Sequence, residues 1–336
     1  RVVSDFSEVE SLQESRTERV SRVQSWWLMG VNLQEAAALE GFENLNADEI
    51  TAEPEPAEAD AEQVARWLVY DNDNKQVKPD IDTEEGRAIV WRSFIDRVHT
   101  PHERRIALSM RRYLRAQAAR IAKRLKKELG TKSVTKAIDP VVLDRVLDEA
   151  FERGQLLTLF RPLYRKAMAQ AFEEAAKSIN TDLLFGRREL ELEATAAVRR
   201  MSTSILHTTS GQVGELVNDL ISEGATLPDM QAAITQKIGD STRAMRIART
   251  ETTRIANGAA NRAYQRAEES GIQIEKMWLS ARDPSVRDSH ARLDGQTVPA
   301  KAVFDSDGAT AAYPGEFGTG ELDINCRCST IARVAK

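Results

Sequence analysis

The sequence predicts a mainly α protein: an elongated helical body with a small C-terminal α+β module. Three observations lead to this. Apolar residues recur at helical spacing from about Glu84 to Glu269. Aromatic residues make up 6% and charged residues 29% of the 336 residues, a balance that favours helices with solvated faces over a β-rich core. After Gly271 the pattern switches to alternation and then to loops punctuated by glycine.

Taken in order, residues 16–41 read as two short helices. Val20, Val23, Trp27 and Val31 share a face of the first, Asn32 caps the second, and Gly41 ends it. The run Thr51-Ala-Glu-Pro-Glu-Pro-Ala-Glu-Ala-Asp60 repels itself and has no apolar area to bury, so it reads as an extended linker. The helical pattern resumes at Glu84, with Ile106, Met110, Tyr113, Leu114, Ile121, Leu125 and Leu129 in one stripe stopped by Gly130. Asp139 before Pro140 opens a helix that holds Val142, Val146 and Phe151 in register. Further helices are predicted across Leu159–Ile179, Arg188–Thr209, Gly211–Glu223 and Leu227–Ile238. Asp240 opens the last, Ala244–Glu269, which Gly271 ends. Ile272–Leu279 alternates as a strand does, and Cys328–Ile331 supplies a closing strand. The expected domains are a helical segment (1–50), an acidic linker (51–63), the helical body (64–240) and the C-terminal module (241–336).

The formal net charge of −5 hides strong segregation. Between Glu43 and Glu62 lie eight acidic residues and no basic one; between Arg104 and Lys127 lie ten basic residues and no acidic one. Such patches say more about partners than the net charge does. No apolar run approaches eighteen residues, so no membrane-spanning helix is expected. The start at Arg1, without an initiator methionine, suggests a fragment, a processed product or a start inside a longer polypeptide. The two cysteines, Cys326 and Cys328, are badly spaced for a mutual disulfide, and free thiols in a reducing cytoplasm are the expectation.

Three constellations could carry chemistry. His290 with Cys326 and Cys328 offers imidazole and two thiolates, a usual first shell for zinc; otherwise no cofactor is expected. The set Asp283, Arg287, His290 and Asp294 also reads as a hydrogen-bonded network that pins glycine-rich loops, with Asp283 and Pro284 opening a short helix. An enzyme with His290 as base lacks the accompanying motifs, such as a nucleophile elbow or a phosphate-cradling loop. The third constellation is basic: Arg104, Arg105, Arg111, Arg112, Arg115, Arg120, Lys123, Arg124, Lys126 and Lys127 flank the apolar stripe of one helix. Arginines spaced along a helix can track phosphates without reading sequence; the alternative is a solvated face, or one paired with acidic segments such as Glu189–Glu193. Arg243, Arg246, Arg249, Arg254, Arg262 and Arg266 repeat the pattern on the helix that ends near Glu269.

Five separated elements carry a resemblance: Ile247-Ala-Arg-Thr-Glu-Thr252, Met277-Trp278, Asp283-x3-Arg287-x2-His290, Leu293-Asp-Gly295 and Asn325-Cys-Arg-Cys328. In this order and spacing they resemble the Mu F-type minor head proteins of tailed bacteriophages, sharply over 240–334 and more loosely over 85–240. Residues 19–41 resemble the C-terminal end of phage portal proteins. A portal–minor-head fusion truncated at its front would look like this, as would a free-standing minor head protein with an unrelated leader. The resemblance implies a role rather than a reaction. It implies a virion protein present in few copies on the capsid interior at the portal vertex, assembled in the host bacterial cytoplasm. It would contact the portal ring, scaffold or major capsid protein, and packaged double-stranded DNA, in procapsid assembly, packaging or ejection. No enzymatic activity is expected. The alternatives from other classes are a metal-dependent hydrolase or nuclease centred on His290, and a toxin carrier.

Overall fold

Long helices dominate because the apolar stripes of the sequence find one another across the chain. The computed structural model describes residues 69–70, 76–77, 79–130 and 137–335. The expected helices at 16–41, the portal-like segment and the acidic linker lie outside the described residues. Strands β1 (Val69–Tyr70) and β2 (Gln76–Val77) pair antiparallel. Helix α1 (Glu84–Phe94) starts where Thr83 Oγ1 accepts from the Gly86 amide, and a π-helical turn (Ile95–His99) carries it into α2 (Thr100–Leu129). Then follow α3 (Pro140–Leu147), α4 (Glu149–Ser178), α5 (Arg187–Ser222), α6 (Leu227–Ile238) and α7 (Ser241–Glu269).

Two helix boundaries differ from the expectation. The periodicity carries Phe151 in the helix that Pro140 opens. Instead Asp148 adopts a left-handed backbone (φ 49°), ends α3, and turns its carboxylate to the Phe151 amide as the cap of α4. Over residues 188–223 the expectation is two helices interrupted near Gly211, but α5 runs unbroken from Arg187 to Ser222. A mid-helix glycine costs only about 1 kcal/mol, and burial of Val213, Val217 and Ile221 just beyond it offsets that.

Helices α2, α4, α5 and α7 share the main core. Tyr113 on α2, Phe160 and Tyr164 on α4, and Met201 and Ile205 on α5 are buried together. Tyr113 and Tyr164 both meet Phe160 edge-on, at 6.5 and 6.4 Å between centroids. Helix α7 contributes Ala248, Ala256, Ala259 and Ala263, small buried side chains of the same core. The far halves of α2 and α5 build a second core with α3 and α6, around Ile121, Leu125, Val146, Val217 and Ile234.

After Gly271 the chain forms the predicted small module. Strand β3 (Ile274–Leu279) lies between β4 (Thr297–Pro299) and β7 (Ser329–Val334), with both pairings antiparallel. A hairpin of β5 (Phe304–Ser306) and β6 (Ala309–Ala311) turns through Asp307 and Gly308, both at positive φ. Short helices α8 (Asp288–Ala291) and α9 (Gly320–Asp323) fill the connections. Trp278, Leu279, Phe304, Cys326 and Cys328 pack with Val90 and Trp91 of α1 in a third core. None of the described helices is long and apolar enough to cross a membrane.

Candidate metal centre and nucleic-acid interface

The module is built on one face of α7. Thr253, Asn257 and Asn261 recur four residues apart and are buried, where a core helix would ordinarily carry apolar groups. Each reaches an irregular segment of backbone or a buried polar group of the module. Thr253 Oγ1 donates to the Cys326 carbonyl and accepts from His99 Nε2 at 2.9 Å. Asn257 Nδ2 donates to the Cys328 carbonyl at 3.1 Å, and its Oδ1 accepts from the Thr330 amide. Asn261 Oδ1 accepts from Lys276 Nζ of β3 at 2.9 Å. Trp91 Nε1 of α1 donates to the Arg327 carbonyl, between the two cysteines, at 2.8 Å. All three carbonyls of the Cys326-Arg-Cys328 turn are thus held by side chains from the helical body. Nearby, Arg254 Nε donates to the Gly315 carbonyl, and a Cβ on Gly315 (φ 92°) would sit 3.1 Å from Arg254 Cα.

His290, on α8, brings Nδ1 to 3.6 Å from the sulfur of Cys326 and 3.6 Å from that of Cys328. The three residues are 1–2% exposed, and both cysteines are free thiols. The imidazole is clamped by rings, stacked on Phe317 at 5.5 Å and edge-on to Trp278 at 5.7 Å. The neighbouring sulfur and burial push the Cys326 thiol well up. Burial also opposes ionisation of Cys328, but hydrogen bonds from Cys326 and His290 outweigh it and bring its thiol down to about 5. The three expected ligands therefore meet, and they line a cleft of about 330 Å³ together with Asp283, Arg287, Asn325 and Arg327.

The set Asp283, Arg287, His290 and Asp294 is distributed over several pins. Asp294 accepts from Arg87 (2.9 Å), Arg282 (2.7 Å) and the Ser280 amide (2.9 Å), which ties α1 to the end of β3. Arg287 donates to the Ile324 carbonyl at 2.7 Å, and Asp283 pairs with Arg327 at 2.8 Å, so both hold the cysteine turn. Asp283 caps a turn through the Ser285 amide rather than opening a helix at Pro284; α8 begins only at Asp288.

The basic stretch of α2 divides in two. Arg120 grips the fully buried Glu152 with two bonds, at 2.8 and 2.6 Å, and Arg124 pairs with Glu152 and Asp148. Arg120 and Arg124 also lie over the Phe151 ring. Arg104, Arg112, Arg115, Lys123, Lys126 and Lys127 are exposed, while Arg105 and Arg111 are half-buried. At about 100° per residue the exposed cations fall within one broad face of the helix. The arginines of α7 are mostly used internally. Arg249 pairs with Glu103, Arg254 with Glu251, and Arg262 and Arg266 with Glu189, so the acidic stretch 189–193 does meet a basic helix. Arg243 donates to Thr209 Oγ1 at 2.8 Å, and with Arg246, Lys237 and Asp240 it borders a cavity of about 540 Å³.

The anchors Thr253, Asn257 and Trp91 are not among the expected site residues. On α7 their signal in the sequence is a polar residue every fourth position along an otherwise alanine-rich helix.

Residues 211–331 match the family model described as Phage Mu protein F like protein, a span that includes α7, β3, β4, the first half of β7 and the His290–cysteine cluster. The chain is 33% identical over 144 residues to an NAD(+)--arginine ADP-ribosyltransferase of Enterococcus faecalis, covering 42% of this chain and 30% of that protein. It is 27% identical over 126 residues to a minor head protein of Bacillus phage SPP1, covering 35% of this chain and 41% of the relative. An uncharacterised Haemophilus influenzae protein is 34% identical over 140 residues, 41% of this chain and 28% of its own length. The chain thus spans less than half the length of each of these relatives. No solved structure matches it. The C-terminal part is thus similar to Mu F-like proteins, and a phage minor head protein is among the relatives.

Proposed function

We propose that the chain is a structural minor head protein of a tailed phage or phage-like particle, acting at the portal vertex on the capsid interior. The observation that carries this is the Mu F-like match over 211–331, together with the similarity to a phage minor head protein. The helical body contacts portal subunits and scaffold or major capsid protein, and the exposed cationic face of α2 contacts packaged duplex DNA. That face is indifferent to base sequence: its charges lie along one side of a long helix and can track phosphates without reading bases. The role is non-enzymatic. The transferase name belongs to a relative of which this chain spans 30%. His290 meets two sulfurs, and no carboxylate among the described residues bonds its ring to orient it as a base.

Cross-linking of purified particles followed by mass spectrometry tests the location. Links to portal subunits are expected, and links confined to tail proteins would overturn it. For the DNA contact, Arg104, Arg112, Arg115 and Lys123 are changed together to glutamate, leaving the internal pairs of Arg120 and Arg124 intact. Retention on nonspecific duplex DNA should disappear. For the unaltered chain, log K should fall with log salt by about 0.9 per phosphate contacted. Retention by the variant, or binding indifferent to salt, sinks the DNA contact.

A further inference from the structure

We propose that His290 Nδ1, Cys326 Sγ and Cys328 Sγ bind one zinc ion that fastens α8 to the turn leading into β7. Geometry carries this. Zinc–sulfur bonds of about 2.3 Å and zinc–nitrogen bonds of about 2.0–2.1 Å, at a tetrahedral angle, require a nitrogen–sulfur separation of about 3.6 Å. Both observed separations are 3.6 Å. The three donor atoms lie within 4.8 Å of one another, close enough for one ion to take all three.

The donor chemistry selects the metal. Two thiolates and an imidazole suit zinc, whereas magnesium and calcium take oxygen ligands and iron–sulfur clusters draw on more cysteines. The donors are also set in place by contacts that do not involve the metal. Thr253, Trp91 and Asn257 hold the carbonyls of the cysteine turn, the Cys328 amide points at Cys326 Sγ at 3.5 Å, and Phe317 and Trp278 fix the imidazole plane. A Cys-x-Cys pair is badly placed for a disulfide but well placed to present two sulfurs to one ion. Asp283 and Asn325 line the same cleft as the three donors, which leaves room for a water as fourth ligand. The ion closes the stretch from α8 to β7, which contains the β5–β6 hairpin and the glycine-rich loop and is short of regular structure. A cross-link over such a stretch removes chain entropy from the unfolded state and holds the segment over Trp278.

The test uses the full chain, reduced, stripped of metal and titrated with cobalt(II), then zinc(II). Saturation at one equivalent is expected. The cobalt form should show a thiolate-to-cobalt charge-transfer band and the visible bands of a four-coordinate ion, both erased by zinc. Elemental analysis of the zinc form should give one zinc per chain, lost in Cys328→Ser and in His290→Ala. A folded chain, judged by its helical circular dichroism, that takes up no cobalt overturns the proposal. So does a cobalt spectrum without the thiolate band, or a folded Cys328→Ser chain that still holds stoichiometric zinc. The spectrum of the unaltered chain decides the matter if the variants fail to fold.

Discussion

Helix α7 meets two regions of the molecule, and each is held by different physics. Toward the helices of the body it offers Ala248, Ala256, Ala259 and Ala263; toward the C-terminal module it offers Thr253, Asn257 and Asn261. A neighbouring helix has already satisfied its own backbone, so only shape and apolar area matter at that contact. The cysteine turn arrives with unpaired carbonyls whose burial without donors would be costly, so polar side chains stand ready for each one. The same division appears in the ion pairs. Glu152 is buried against the body and gripped by two arginines, while Asp294 ties α1 to separate segments of the module.

The comparison can be tested most forcefully in the body. Phe160 is wholly buried between two tyrosines, and Phe160→Ala should cost about 3–5 kcal/mol. Chemical denaturation should show this as a shift of the global transition. An unshifted transition would mean that α4 is not central to the stability of the body. On the module side, Asn257→Ala strands the Cys328 carbonyl and the Thr330 amide, at about 2–3 kcal/mol. Its effect should be local: amides of 328–331 exchange faster while those of α4 keep their protection. Uniformly faster exchange would erase the distinction between the regions.

The smallest effect concerns a buried cation. Lys276 on β3 has no solvent exposure and bonds to Asn261 Oδ1 and the Ala312 carbonyl, both neutral. Burial lowers its ammonium to about 8. Between pH 8 and the ordinary lysine value near 10.5 the unfolded chain holds the extra proton, so folding strengthens as pH rises. Relative to Lys276→Met, the unaltered chain should gain about 2 kcal/mol from roughly pH 8 to pH 10. Parallel stability profiles of the two proteins over that range would show that burial leaves the Lys276 ammonium at its ordinary value.

Much of this architecture is legible in the amino-acid sequence. The stripe from Ile106 to Leu129 gives α2 to its last residue, Gly130 stops it, and the change of texture after Gly271 marks the module. Local rules suffice there because periodicity and capping act within a turn or two. They fail at Gly211, where a propensity worth about 1 kcal/mol yields to distant packing. They fail again at Asp148, whose left-handed backbone turns α3 into α4 at a position that helical periodicity reads straight through. The candidate site is half visible. His290, Cys326 and Cys328 stand out by residue type, but Thr253, Asn257 and Trp91 become anchors only when α1 and α7 are brought to the turn.

Residue order alone sets the helical class, the change to strands and loops after Gly271, the cationic run of α2 and the three candidate donors His290, Cys326 and Cys328. Each is written in periodicity, charge or residue type over a short span. Which cations remain exposed is a matter of folding, since Arg120 and Arg124 are taken by a glutamate about thirty residues away. Folding also splits the expected polar network into separate pins, and brings thiols and imidazole to tetrahedral spacing. Those outcomes depend on which faces meet, and the free energy that selects them is the burial and hydrogen bonding of groups far apart in the chain.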